Sequence, residues 1–153
     1  MLPPITKEIE VNCDIETAFR VFTDLSSWWP LEKRAISPKF GCEAQEITVQ
    51  HYVGGEINEL SKDGTKYLWG TIKEYSPFDR FSMFFHMGLE PCESVVDVTF
   101  VALGPQSTRV TLNHSNWEAY GDLADMMFSG YGSSWGMLLK DAYFAVCTRG
   151  QLR

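Results

Sequence analysis

Between residues 46 and 114 apolar side chains recur at every second position, the period of half-buried β-strands. Ile47, Val49 and His51 share one face, and Ile57 shares one with Glu59. Phe81, Met83, Phe85 and Met87 form a third such row, Val96, Val98 and Phe100 a fourth, and Val110, Leu112 and His114 a fifth. Residues 67–74 form a further strand with apolar side chains on both faces, which leaves the orientation of Tyr67 and Trp69 open. The rows are separated by turn signals: Gly54-Gly55, Asp63-Gly64, Pro77-Phe78-Asp79, residues 88–93 and Gly104-Pro105. The pattern predicts a meander of about six antiparallel strands. Residues 3–11 alternate in the same way, with Ile5, Ile9 and Val11 opposite Thr6, Glu8 and Glu10, and add a strand at the N-terminus.

Two short helices follow that first strand. Asp14 is a candidate N-cap for a segment with Ile15, Phe19 and Phe22 at helical spacing, and Asp24 a candidate cap for a second, stopped by Pro30 just after Trp28-Trp29. The tryptophans read as packing at a helix–sheet junction, with ligand gating as the alternative. Residues 31–46 form the longest loop, either a lid or a surface insertion. Residues 121–147 contain no proline, and Met127, Tyr131, Leu138, Ala142 and Ala145 recur at intervals of three and four. This predicts one helix of about 35 to 40 Å. Gly130, Gly132 and Gly136 within it cost up to about 1 kcal/mol each relative to alanine. The offset is either close packing on the sheet or a hollow that small residues leave open and methionines reshape.

A single apolar sheet face must be covered, and the terminal helix is the only element long enough to do so. The expected fold class is therefore α+β, a curved antiparallel sheet of about seven strands wrapped around a long C-terminal helix. The 153 residues fit one domain, 1–153. A hydrophobic fraction of 44% with 14% aromatics excludes disorder and exceeds what a minimal core needs. The net charge of -7 disfavours nucleic acid and anionic membranes, and no apolar run reaches membrane-spanning length. A cytoplasmic protein is expected. Cys13, Cys42, Cys92 and Cys147 form no C-x-x-C pair and read as reduced thiols.

The order of elements, with Trp28-Trp29-Pro30, Gly54-Gly55 and Glu59, Asp63-Gly64, Trp69-Gly70, Pro77, Arg80, His114 with Trp117, and Trp135-Gly136 with Leu139, resembles the SRPBCC or START-like superfamily. Within it the chain looks most like the group named after the activator of the heat-shock-protein-90 ATPase. The resemblance covers about residues 5 to 148. It implies a helix-grip fold, as in the birch-pollen allergen, with an apolar cavity between sheet and helix. Relatives in the superfamily bind lipids, sterols or flavonoid-like molecules, or cyclise and dehydrate polyketides. The activator itself is a two-domain co-chaperone, whereas this chain has room for one domain.

Strand parity places Glu59 and His114 on the apolar inner face, where an ionisable group needs a partner. One reading pairs them with each other and makes His114 a general base or ligand contact; the other makes both satisfied core groups. His51, His86 and His114 have no metal-binding spacing, and no nucleophile elbow, dinucleotide fingerprint or P-loop occurs, so no cofactor or metal is expected. The ligand-binding candidates are Glu59, Trp69, Phe85, Phe100, His114, Trp117, Met127, Tyr131 and Trp135, with Tyr67 beside them. The leading expectation is binding of a small hydrophobic, lipid-, sterol- or polyketide-like molecule. A cyclase or dehydratase using His114 and Glu59 and a chaperone regulator acting through its acidic surface are the alternatives. A homodimer is left open.

Overall fold

The computed structural model describes residues 2–87 and 94–151. The expected interruption at 88–93 and the thiol of Cys92 lie outside the described residues. Seven antiparallel strands, β1 (Ile5–Val11), β2 (Ala44–Val49), β3 (Glu56–Ser61), β4 (Lys66–Ser76), β5 (Arg80–Phe85), β6 (Ser94–Gly104) and β7 (Ser107–Ser115), form one sheet in the order β1-β7-β6-β5-β4-β3-β2. The six-strand meander thus carries β1 on its β7 edge, with Ile5 opposite His114 and Ile9 opposite Val110. The sheet curls into a half-barrel closed by the C-terminal helix. Alternation sorts the faces as expected: Phe81, Met83, Phe85, Val96, Val98, Val110 and Leu112 are all buried inward.

Helix α1 (Ile15–Thr23) begins where the Asp14 side chain accepts the Thr17 N–H at 3.1 Å. Its buried residues Ala18, Phe19 and Phe22 pack on the β6–β7 end of the sheet and on the C-terminal helix, where Tyr143 Oη donates to Ala18 O at 2.7 Å. The second short helix is a single 3-10 turn, Leu25–Ser27. Asp24 makes no side-chain cap there; its carbonyl instead accepts Ser27 Oγ at 2.7 Å.

The terminal element departs from one regular helix over 121–147. A 3-10 stretch, Trp117–Leu123, breaks at Gly121, whose φ of 58° and ψ of -127° are open to glycine and hostile to other residues. Helix α2 (Ala124–Met137) starts after that break, passes through a π-helical turn at Leu138–Tyr143, and continues as α3 (Phe144–Gln151). Close packing does not explain the glycines of α2. A Cβ at Gly130 or Gly136 would meet nothing within 4 Å, and one at Gly132 would make ordinary contact with Ile5 Cδ1 at 3.7 Å. Packing demands glycine at Gly70 on β4, where a Cβ would sit 1.8 Å from Phe84 O, and at Gly55 before β3, where one would sit 2.1 Å from Gln50 O.

Cys13 and Cys147 are buried free thiols and Cys42 is a half-buried one. Among the described residues no helix is long and apolar enough to cross a membrane.

Candidate functional site

The space between sheet and helix is filled with rings. Trp69, Phe85, Trp117, Trp135 and His114 are fully buried. Phe85 lies 6.0 Å from His114 and 5.8 Å from Tyr131 between ring centroids, His114 lies 4.0 Å from Trp117, and Tyr131 stacks on Trp135 at 5.9 Å. These separations suit edge-to-face and offset packing, so the rings stabilise one another rather than line a void. Phe100 lies at the far end of the same core under α1, 5.2 Å from Phe19 and 6.0 Å from Phe22. Tyr67 is displaced to the edge, where exposed Phe40 stacks on it at 5.3 Å and 10°.

Glu59 and His114 do not pair. They sit on β3 and β7, four strand spacings apart, which is about 19 Å along the sheet and beyond the reach of both side chains. The Glu59 carboxylate accepts Ile36 N at 2.8 Å, Ser37 N at 2.6 Å, Ser37 Oγ, and Trp69 Nε1 at 3.0 Å. An acceptor-only carboxylate matches four donors, and the result is a buried pin through the 3-10 turn Ser37–Phe40 into the loop before β2. His114 Nδ1 accepts Trp135 Nε1 at 3.1 Å, which assigns the neutral ring its proton on Nε2, facing Ser94 Oγ at 3.0 Å. Ser94 Oγ in turn donates to Phe85 O, and Tyr120 Oη donates to the same carbonyl at 3.0 Å. Burial pushes the His114 pKa down to about 3. Neither nitrogen is free to take a substrate proton. Of the other histidines, His51 falls just beyond β2 and His86 just beyond β5. Among the described residues no three His, Cys, Asp or Glu side chains converge as a metal site.

The open space lies at the helix's N-terminal half. A cavity of about 370 Å³ is walled on one side by Met126, Met127, Gly130, Tyr131 and Ser134 of α2. Its other walls are Trp29, Lys33, Arg34 and Ala35 of the loop and Met87 just past β5. Its volume falls in the range of small-molecule sites. Of the residues expected to bind ligand, it brings together Met127 and Tyr131; Trp69, Phe85, His114, Trp117 and Trp135 are buried in the core, Phe100 lies under α1 and Glu59 holds the loop. Trp29 serves both readings of the tryptophan pair. It packs 5.0 Å from Trp69 and 6.0 Å from Trp135 and also faces the cavity, while Trp28 packs on Phe22 and Tyr143. The signal that sequence reasoning passed over was the Lys33-Arg34 pair in an acidic chain.

Sheet, gripping helix and a cavity beside the loop define a helix-grip protein of the SRPBCC class. The chain belongs to the family of activator of Hsp90 ATPase homolog 1-like proteins, whose model matches residues 12–142. No curated protein matches the sequence. Among solved structures it resembles an anthrahydroquino-gamma-pyrone synthase, with 29% identity over 82% of this chain and 84% of that one and a TM-score of 0.59. It also resembles the self-sacrificing resistance protein CalC of Micromonospora echinospora, at 22% identity over 97% and 96% of the two chains, TM-score 0.68. The Aha1 dimer of Colwellia psychrerythraea is similar at 17% identity over 90% and 91%, TM-score 0.63.

Proposed function

We propose that the protein binds a small hydrophobic, ring-bearing molecule in the cavity between α2 and the loop of residues 29–35. The observation that carries this reading is the wall itself. Three flexible methionines, Met87, Met126 and Met127, and two aromatic faces, Trp29 and Tyr131, surround a hollow that Gly130 keeps free of side chain. The methionines adapt to the outline of a ligand and the rings give it flat surfaces on which to stack. The family and its neighbours fit a ligand-binding or polyketide-related role, and the similarity to a gamma-pyrone synthase favours a fused aromatic or polyketide-like skeleton over an acyl chain.

A thermal-shift panel of fatty acids, sterols, flavonoids and aromatic polyketide mimics tests the reading. A ligand at about a hundred times its dissociation constant adds about 2.7 kcal/mol, or roughly 5 to 10 °C for a domain of this size. The fused aromatic class should give this shift, and Gly130→Leu, which fills the hollow, should abolish it. A shift that survives Gly130→Leu unchanged would place the ligand elsewhere.

The synthase similarity also supports a second reading, turnover of such a ligand. Any acid–base group for it must come from the cavity wall, since His114 is enclosed by Trp135 and Ser94. His114→Asn should then leave turnover unaltered once folding is accounted for.

A further inference from the structure

Lys33 and Arg34 are the cations of the cavity wall, in a chain with 20 acidic and 13 basic residues. Among the described residues neither belongs to an ion pair. The acid beside them, Glu32, lines a different hollow together with Glu43. Their backbone is nevertheless firmly placed. Both amides donate to Pro30 O at 3.0 Å, and Trp29 Nε1 donates to Arg34 O at 2.9 Å. Just downstream, Glu59 pins Ile36 and Ser37. Two anchors therefore hold an exposed Lys33 and a half-buried Arg34, both uncommitted, against a hollow whose other walls are apolar apart from Ser134 and the Tyr131 hydroxyl. A neutral ligand covering half-buried Arg34 would strip water from it without replacing it, whereas an anion would give both cations charge-assisted hydrogen bonds.

Resting on the binding reading above, we infer that the ligand is an aromatic organic anion. Its sulfonate, carboxylate or phenolate group meets Lys33 and Arg34 while its rings lie against Tyr131, Met126 and Met127.

Two fluorescent probes with the same rings test this: 8-anilinonaphthalene-1-sulfonate, which is permanently anionic, and N-phenyl-1-naphthylamine, which lacks the sulfonate. Both are titrated into the wild type and into a Lys33→Gln/Arg34→Gln variant, whose substitutions lie in the loop and leave the core rings untouched. The double substitution should weaken the sulfonate probe by about tenfold or more and leave the neutral probe within about twofold. Equal weakening of both, or no weakening of either, overturns anion recognition while leaving an apolar site in place. If neither probe binds the wild type, the binding reading falls and this inference falls with it.

Discussion

Trp135 Nε1 donates to His114 Nδ1 at 3.1 Å, and that bond determines what the histidine can do. With Nδ1 accepting and Nε2 turned to Ser94, a protonated ring would have to break the indole bond inside a dry core. His114 thus couples the terminal helix to β7 as a neutral group.

A pH dependence follows. The folded pKa of about 3 lies below the ordinary 6.5, so below pH 6.5 the unfolded chain takes up a proton that the native one refuses. The contribution is complete above about pH 6.5 and is lost as pH falls toward 3, at about 1.4 kcal/mol per pH unit. His114→Gln removes this titration. In urea unfolding, the stability advantage of wild type over His114→Gln should shrink by about 2 to 3 kcal/mol between about pH 7.5 and pH 4.5. A difference independent of pH would mean that the ring protonates in place.

Glu59 holds the loop that walls the cavity. Glu59→Ala leaves the Ile36 and Ser37 amides and the Trp69 indole without an acceptor, at a cost of about 3 kcal/mol or more. Amide hydrogen exchange at Ile36 and Ser37 should accelerate more than at Leu112 in the sheet. Uniform acceleration through the whole chain would instead make Glu59 a general core residue with no special hold on the loop.

Two glycines should respond in opposite directions to alanine. At Gly130 the Cβ meets nothing within 4 Å in a helix, and Gly130→Ala should stabilise by about 0.5 to 1 kcal/mol. At Gly70 the Cβ would lie 1.8 Å from Phe84 O and 2.9 Å from its carbonyl carbon, backbone atoms that move only if β4 and β5 separate. Gly70→Ala should destabilise by about 3 kcal/mol or prevent folding. Thermal unfolding of the two variants distinguishes them, and a stable Gly70→Ala would show that the strand pair is more pliant than this contact allows.

The strands and their inner faces were legible because alternation with period two depends only on neighbouring residues. Phe81, Met83, Phe85, Val98 and Leu112 all fall where that period puts them. Partnership across the sheet was not legible in the same way. Parity put Glu59 and His114 on one face without saying that three strands stand between them, and the partners of Glu59 came from the loop of residues 31–46 and from Trp69. The outline of the hollow was only partly legible, through Met127 and Tyr131, for a related reason. The rings expected to line it satisfy one another, and the hollow that remains depends on where residues 29–35 cross α2, which no periodicity encodes. Gly121 escaped notice as a helix break because no periodicity marks the φ of 58° and ψ of -127° with which it interrupts the 3-10 stretch Trp117–Leu123.

The central claim, a filled interior with the ligand site at the cavity between the loop and α2, is tested most directly by methyl NMR of methionine-labelled protein titrated with N-phenyl-1-naphthylamine. Met87, Met126 and Met127 line the cavity, Met83 is fully buried in the core, and Met137 is exposed farther along the helix. The first three signals should shift together while those of Met83 and Met137 stay in place. A shift of Met83 with the cavity methionines unmoved would put the ligand among the core rings and contradict the claim.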